Sequence, residues 1–237
     1  MILVDVGNSS IKWCQADQRL GPVFRCGRFP EQLVADLREH KVELSAVWVS
    51  SVAGKDFDEA LQSALQSSGF GPVQCVESPP SQSGLINSYR EPGRMGVDRW
   101  LAMLAARDGR AEPVAVIDAG SALTIDLIAG NGRHEGGYIL PGVAMMERSL
   151  LRDTQRVRFE GAVGATVSPG RSTLDCVNAG TWIAALGAVR QALINHPDHR
   201  VVVTGGDGQA LMSLGINGEW RPNLVLEGLL IAAGAAG

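Results

Sequence analysis

An apolar run that delivers an aspartate to a Gly-Asn-Ser-Ser turn, Ile2-Leu3-Val4-Asp5-Val6-Gly7-Asn8-Ser9-Ser10-Ile11-Lys12-Trp13, is an arrangement through which a backbone can hold a phosphate. Glycine permits positive φ and carries no side chain, so the N–H groups of the turn can face an anion. The carboxylate of Asp5 would repel a bare phosphate but tolerates one across a cation, so Asp5 reads as a direct or water-mediated Mg²⁺ contact. Taken alone, the stretch reads first as an ordinary β-hairpin with a Gly-Asn turn.

The plan recurs. Val114-Ala115-Val116-Ile117-Asp118-Ala119-Gly120-Ser121-Ala122-Leu123-Thr124-Ile125-Asp126-Leu127-Ile128 again offers an apolar run, Asp, a small residue, Gly, a hydroxyl residue and an alternating run. Two copies of one supersecondary unit, one opening each half, indicate a duplicated domain. Two such turns facing one another across a cleft would grip a polyphosphate from both sides.

The elements that must position these turns follow from periodicity. A strand, a tight turn and a returning strand are expected over 2–13, a third strand over 22–29, a helix from Pro30 through about His40, a central parallel strand over 46–52, a helix over 56–67 and a strand over 73–76. The second half repeats the order, with strands at 114–118, 122–128 and 135–140, helices near 143–153 and 173–195, a strand at 200–204, and helices near 207–213 and 224–235. Three hairpin-connected strands followed by helix, strand, helix and strand is the order of a ribonuclease-H-like half. The expected fold is therefore α/β, with two ribonuclease-H-like domains, 1–112 and 113–237, each a mixed five-stranded sheet flanked by helices. The boundary falls near Gly109 to Pro113, where the periodicity breaks. Residues 77–95 form a long irregular connection, of a length that inside a compact domain is functional or disordered. It enters a helix at Gly96-Val97-Asp98-Arg99, where Asp98 is by default a dipole partner of the first turn.

Composition narrows the partners. The chain has 237 residues, 45% of them hydrophobic, enough for two sizeable cores. A net charge of -4 and the lack of Lys/Arg runs argue against nucleic acid. No stretch reads as a signal peptide or membrane span, so the expected location is the cytoplasm. Cys14, Cys26, Cys75 and Cys176 are scattered and read as buried reduced thiols. The histidines, His40, His134, His196 and His199, do not cluster with Cys or acids at ligand spacing, and Asn195-His196-Pro197-Asp198-His199-Arg200 reads as a solvated loop. Asp126 reads as a solvent-face strand residue. Gly164 to Thr173 departs from a P-loop in spacing and in having arginine for lysine, and no dinucleotide fingerprint follows the first strand. Thr204-Gly205-Gly206-Asp207, a β run opening a helix, suits an anion or an adenosine moiety.

As an ordered set, Asp5-Val6-Gly7-Asn8-Ser9, Tyr89-Arg90-Glu91-Pro92, Gly96-Val97-Asp98-Arg99, Asp118-Ala119-Gly120-Ser121-Ala122, Gly136-Gly137-Tyr138-Ile139-Leu140-Pro141-Gly142 and Thr204-Gly205-Gly206 resemble the type III pantothenate kinases, within the acetate and sugar kinase/Hsp70/actin superfamily. The resemblance covers nearly the whole chain. It implies an actin-like ATPase duplication and transfer of the ATP γ-phosphoryl group to the primary hydroxyl of pantothenate, the first step towards coenzyme A. By the same resemblance Asp5, Val6, Gly7, Asn8, Ser9, Ser10, Ile11 and Lys12 hold the ATP phosphates and Mg²⁺, joined by Ser121 on ATP. Asp118 goes with a monovalent cation, K⁺ or NH₄⁺. Gly96, Val97, Asp98 and Arg99 contact pantothenate, with Asp98 as base, and Tyr89 and Thr173 fall at further substrate positions. The family is typically a homodimer. Ser9 and Ser121 stand where the family more often has threonine, keeping the hydroxyl, and Met95 replaces a usual leucine.

Those roles agree with the chemistry of the residue types. A carboxylate can accept the proton of a hydroxyl nucleophile, and an arginine fork suits the carboxylate that pantothenate carries. The alternative readings are a kinase of another small hydroxyl compound, distinguished by Tyr89 to Arg99, and a non-catalytic accessory factor for transcriptional regulation on the same fold. A relative of the latter kind is expected to lose Asp98 or the phosphate turns, and here all are present.

Overall fold

A computed structural model describes residues 1–154, 157, 161 and 164–234. The chain divides into two compact units, Met1–Arg110 with the C-terminal segment from Asn223 onward, and Ala111–Pro222.

In the first unit, β1 (Ile2–Val6), β2 (Ile11–Gln15), β3 (Phe24–Cys26), α1 (Pro30–Glu39), β4 (Val47–Ser51), α2 (Lys55–Ser67) and β5 (Val73–Cys75) build a five-stranded sheet in the order β3-β2-β1-β4-β5. β1 pairs antiparallel with β2 and parallel with β4, so it is central and has no solvent face. Its alternate residues Ile2, Val4 and Val6 join Trp13, Leu33, Leu37, Leu61 and Leu65 in one core under α1 and α2. Strand alternation therefore turns Leu3 and Asp5 to the opposite face. That face carries α3 (Val97–Arg107) and the last helix of the chain, which packs on α3, β1 and β4. Between β5 and α3 lie a small hairpin, β6 (Ser81–Gln82) with β7 (Leu85–Ile86), and a 3₁₀ turn at Pro92–Arg94. The 77–95 connection is thus built rather than loose. Leu85 is fully buried, Ser78 Oγ donates to the Met95 carbonyl at 3.0 Å, and Asn87 Nδ2 donates to the carbonyls of Pro79 and Pro92.

The second unit holds β8 (Val114–Ala119), β9 (Ala122–Ile128), β10 (His134–Pro141), α4 (Val143–Asp153), α5 (Thr173–Leu193), β11 (Arg200–Thr204), α6 (Gly208–Ser213) and β12 (Glu219–Trp220). Its sheet order, β10-β9-β8-β11-β12, repeats the first sheet strand for strand, with the same sequence of antiparallel and parallel pairings. The duplication read from the two Asp-x-Gly turns is present in full as two ribonuclease-H-like sheets. β12 was not anticipated; two residues are too short to carry a period.

α7 (Leu224–Gly234) differs from the expected division at 112/113, because it belongs with the first sheet. Ala235, expected as its last residue, lies outside the described residues. Apart from Glu227 its residues are apolar or glycine, and most are buried. A helix apolar all round needs cover on more than one side, which α3 and the sheet supply. A Cβ on Gly228 would stand 2.0 Å from the Leu101 carbonyl oxygen, so the two helices meet backbone to backbone there.

Three further readings are corrected. Asp126 is 1% exposed, and its carboxylate lies 2.9 Å from Nε2 of the fully buried His134, because this end of β9 is covered on both faces. Of the cysteines only Cys14 is buried; Cys75 and Cys176 are exposed. Gly7 does not adopt positive φ, and a Cβ there would meet the Ser10 carbonyl oxygen at an ordinary 3.4 Å. The turn itself tolerates a side chain, so what glycine provides is an open approach from outside.

The α3–α7 contact yields a stability contrast. Gly228→Ala must push the helices apart and is expected to cost about 2–4 kcal/mol. Gly187→Ala, on exposed α5 with nothing within 4 Å of the new Cβ, is expected to be neutral or to stabilise by up to about 1 kcal/mol. Thermal or urea unfolding followed by circular dichroism measures both, and equal effects would refute the close contact.

Candidate active site

The first unit's site starts from the strand register. Asp5 pairs with Lys12 across β1 and β2 and with Ser50 across β1 and β4, so three polar side chains stand in one row on the α3 face. Burial pushes the Asp5 carboxyl up from its ordinary 3.8 to about 6. Lys12 pulls it down, Asp98 pushes it up, and the Ser50 hydroxyl lowers it slightly. Ser50 is wholly buried, yet its Oγ makes no hydrogen bond of ordinary geometry, so its help to Asp5 is dipolar only.

Asp98 reaches this row from the first turn of α3. Its Oδ1 accepts the Arg99 backbone N–H at 2.8 Å, which folds the carboxylate back over the helix start. Gly96 makes room for that fold: a Cβ there would lie 2.6 Å from the same oxygen. Two like charges are thus held near each other in a partly buried place, an arrangement stabilised by a cation between or beside them. With the orphaned Ser50 hydroxyl, the donor set is oxygen-only and anionic, which fits a hard divalent ion.

Arg99 is 6% exposed, and its Nη1 donates to the Tyr89 hydroxyl at 2.8 Å while its guanidinium lies 5.7 Å from the Tyr89 ring centre. Tyr89 is itself anchored, its N–H donating to Asn87 Oδ1 at 3.0 Å. Tyr89, Asp98 and Arg99 are therefore one fixed group. Gly96 and Val97 line a cleft of about 510 Å³ with Ser51, Asp58, Glu77 and Ser78.

At the Gly7–Ser10 turn, where the Gly7 N–H donates to the Ser10 carbonyl at 3.1 Å, Asn8 and Ser9 are exposed at the tip. Sequence reasoning missed Arg28. Its Nη1 donates to the Asn8 carbonyl at 3.2 Å and its Nη2 to that of Ala53 at 3.4 Å, placing a cation beside the turn. Only contact across the strands reveals it, as with Ser50.

The second unit repeats the row. Asp118 pairs with Thr124 across β8 and β9 and with Thr204 across β8 and β11. The Asp118–Ser121 turn is packed more tightly than its counterpart. A Cβ on Gly142 would lie 2.3 Å from the Gly120 carbonyl oxygen, and one on Gly205, at φ +89°, 2.4 Å from Asp118 Oδ1. The Asp207 N–H donates to the Ala119 carbonyl at 2.8 Å, so the Thr204–Asp207 turn closes over the Asp118 turn. Burial raises the Asp207 carboxyl, and burial and then Asp207 raise that of Glu147. Gly136 forms a bulge, whereas Gly142 serves close backbone packing. Thr173 is exposed at the start of α5, after Ser172, whose Oγ accepts the Asp175 N–H at 3.1 Å as an N-cap.

The raised Asp5 carboxyl has a measurable consequence. Native protein keeps the Asp5 proton up to about pH 6, whereas the unfolded chain releases it near 3.8. Between those values the native state binds more protons, so this group's contribution to stability falls as pH rises through the window. Without nucleotide or metal, Asp5→Asn is expected to be more stable than wild type at pH 7.5 by about 1–3 kcal/mol, the difference vanishing towards pH 4. Urea unfolding of both proteins across pH tests this, and a less stable variant at pH 7.5 would sink it.

A family description, type III pantothenate kinase, matches residues 1–195. The type III pantothenate kinase of Marinobacter nauticus is 36% identical, covering 97% of this chain and 96% of its own length. That of Thiobacillus denitrificans is also 36% identical, over 100% of this chain and 97% of its own. Among solved structures, the activator of the 2-hydroxyisocaproyl-CoA dehydratase from Clostridium difficile, with bound ADPNP, is similar at a TM-score of 0.54. Its identity is 11%, over 99% of this chain and 93% of its own, which speaks for the fold alone. With the motifs, the doubled sheet and full-length relatives in agreement, this chain belongs to the type III pantothenate kinase family.

Proposed function

We propose that the chain transfers the γ-phosphoryl group of ATP to the primary hydroxyl of pantothenate, the first step towards coenzyme A, with Asp98 accepting the hydroxyl proton. The observation that carries the assignment of the base is the placement of Asp98 beside the Asp5 row and next to the Tyr89–Arg99 pair. One carboxylate at a phosphate turn and one at a fixed cationic group can serve the two reactants of a phosphoryl transfer.

In this reading the Asp5–Lys12 turn, with Val6, Gly7, Asn8, Ser9, Ser10 and Ile11, holds the phosphates through its N–H groups and the Lys12 ammonium, and Ser121 contacts ATP. Asp5 would hold Mg²⁺ directly or through water, and that ion, when bound, neutralises charge on the phosphates. Asp118 would hold the monovalent cation, K⁺ or NH₄⁺. Arg99 fits the pantothenate carboxylate and is kept oriented by Tyr89; Gly96, Val97 and Thr173 complete the substrate contacts. When the hydroxyl oxygen bonds to the γ-phosphorus, the bond to the ADP oxygen breaks and the hydroxyl proton passes to Asp98.

The chain acts as a homodimer in the cytoplasm. Support for the dimer comes from the second unit, where Tyr138, Ile139 and Ile183 are each more than half exposed and Met145 and Leu150 add to the apolar surface. No described helix is long and apolar enough to cross a membrane.

The test is ADP release from Mg-ATP with and without pantothenate, in potassium and in sodium buffer. Wild type is expected to show pantothenate-dependent release that needs potassium. Asp98→Asn, which keeps the shape and removes the base, is expected to lose about 10²–10⁴-fold in kcat. Absence of pantothenate-dependent release overturns the substrate, and undiminished release in Asp98→Asn removes the base.

A further inference from the structure

One cluster outside this site brings together three side chains of metal-ligating type. The register of β10 on β9 runs His134↔Ile128 and then Gly136↔Leu127, so Glu135 is the extra residue of a β-bulge. Gly136, at φ +125°, provides the backbone conformation that the bulge needs. A bulge re-aims one side chain, and here it separates Glu135 from its buried neighbour His134, whose ring is committed to Asp126.

At the same end of the sheet, the connection from α5 to β11 folds into a tight turn. The His196 N–H donates to the Leu193 carbonyl at 2.9 Å and the His199 N–H to that of His196 at 3.2 Å. The turn presents two imidazoles 4.8 Å apart between ring centres and nearly perpendicular. His199 Nε2 lies 3.2 Å from Glu135 Oε2, and one ligand atom from each of Glu135, His196 and His199 lies within 4.8 Å of the other two. Ligands about 2.0–2.2 Å from one ion stand roughly 3.3–3.6 Å apart in a tetrahedral site, so side-chain movements of about 1 Å close the set. Glu135 is exposed and His196 half-buried, which leaves them free to make that movement.

We propose that Glu135, His196 and His199 form a binding site for a late first-row divalent cation, Zn²⁺ foremost, separate from the kinase site. Two imidazoles and one carboxylate suit Zn²⁺, Co²⁺ or Ni²⁺, whereas Mg²⁺ and Ca²⁺ take all-oxygen sets. The site lies at the His134 end of β10. Pro141, at the other end, pairs with Ala122 beside the Asp118–Ser121 turn, about 20 Å away at 3.3 Å per residue along the partner strand from Ile128 to Ala122. The ion would clip the start of β10 to the α5–β11 turn, joining segments 64 residues apart between Glu135 and His199. Its effect is on the stability of the second unit.

The experiment uses the metal-free full-length protein without nucleotide. Calorimetric titration with Zn²⁺ is expected to show one equivalent bound, and excess Zn²⁺ to raise Tm. His196→Gln with His199→Gln is expected to weaken binding by at least about 100-fold and abolish the Tm rise, and Glu135→Gln to weaken it about 10-fold. Millimolar Mg²⁺ should not compete. The Co²⁺ form supplies a second readout, since the visible spectrum of a nitrogen and oxygen site lacks a thiolate charge-transfer band. Circular dichroism establishes that each variant is folded, and the variants' pantothenate-dependent ADP release in metal-free buffer should match wild type, so this test and that of the kinase reading fail separately. Zn²⁺ binding unchanged in the double variant, no binding by wild type, or a thiolate band pointing to Cys75 or Cys176 would each overturn the proposal.

Discussion

The structure of the first unit turns on a carboxylate held where it is uncomfortable. Asp5 interrupts the most buried strand of its sheet, and burial raises its carboxyl to about pH 6 even with Lys12 opposite. Hydrophobic burial on the other face of β1, through Ile2, Val4 and Val6, is what keeps the strand central despite that cost. The discomfort is concentrated on one face, next to Asp98, while the opposite face is a dry core of Trp13, Leu33, Leu37, Leu61 and Leu65. Such a division between a stabilising face and a strained face is what a site for charged ligands requires, because the energy of relieving the strain becomes available to binding.

The same constraint explains why the pattern is duplicated down to the register. In both sheets the aspartate sits near the end of the central strand, paired to one residue on the returning strand and one on the parallel strand. A strand-order switch at that point leaves the turn open beyond the strand ends, where a ligand can enter without breaking a hydrogen-bond ladder. The two copies have diverged in what flanks the aspartate. Lys12 and Ser50 make a charged row in the first, Thr124 and Thr204 an uncharged one in the second. The uncharged row also has the tighter backbone, with Gly142 and Gly205 pressed against it.

Much of this was legible in the sequence because it is local. Asp5, Gly7, Asp118 and Gly120 announce themselves through a short run and a turn, and the element order follows from periodicity alone. What was not legible depends on pairings between distant segments. Ser50 and Thr204 are ordinary strand residues until the parallel register sets them beside an aspartate. Arg28 is one arginine among many until it meets the Asn8 carbonyl. Asp126 obeys the alternation that marks a solvent face, yet this end of β9 is covered on both faces, and a histidine on the neighbouring strand satisfies the buried carboxylate. His196 and His199 show their spacing plainly, but the carboxylate beside them arrives by a bulge that no periodicity encodes. The expected division put α7 in the second half by contiguity, whereas its surface, apolar but for Glu227, requires the cover that α3 and the first sheet supply.

That last case bears on how the site residues are kept in place. Asp98 and Arg99 occupy the first turn of α3, and the rest of α3 is buried almost without interruption from Trp100 to Ala106. Gly228 allows α7 to approach the Leu101 backbone directly, so α3 is held along its length by a helix that arrives only at the end of the chain. Rigid packing of this kind leaves little freedom for sliding, since interdigitated interiors respond to a shift of one element with strain throughout. The polar N-terminal turn thereby inherits its position from apolar contacts further along the helix. A carboxylate and a guanidinium on a loop would have to be ordered anew by each substrate, at a cost in conformational entropy. On α3 they are ordered when the chain folds, so that little conformational entropy remains to be lost by these two side chains on ligand binding.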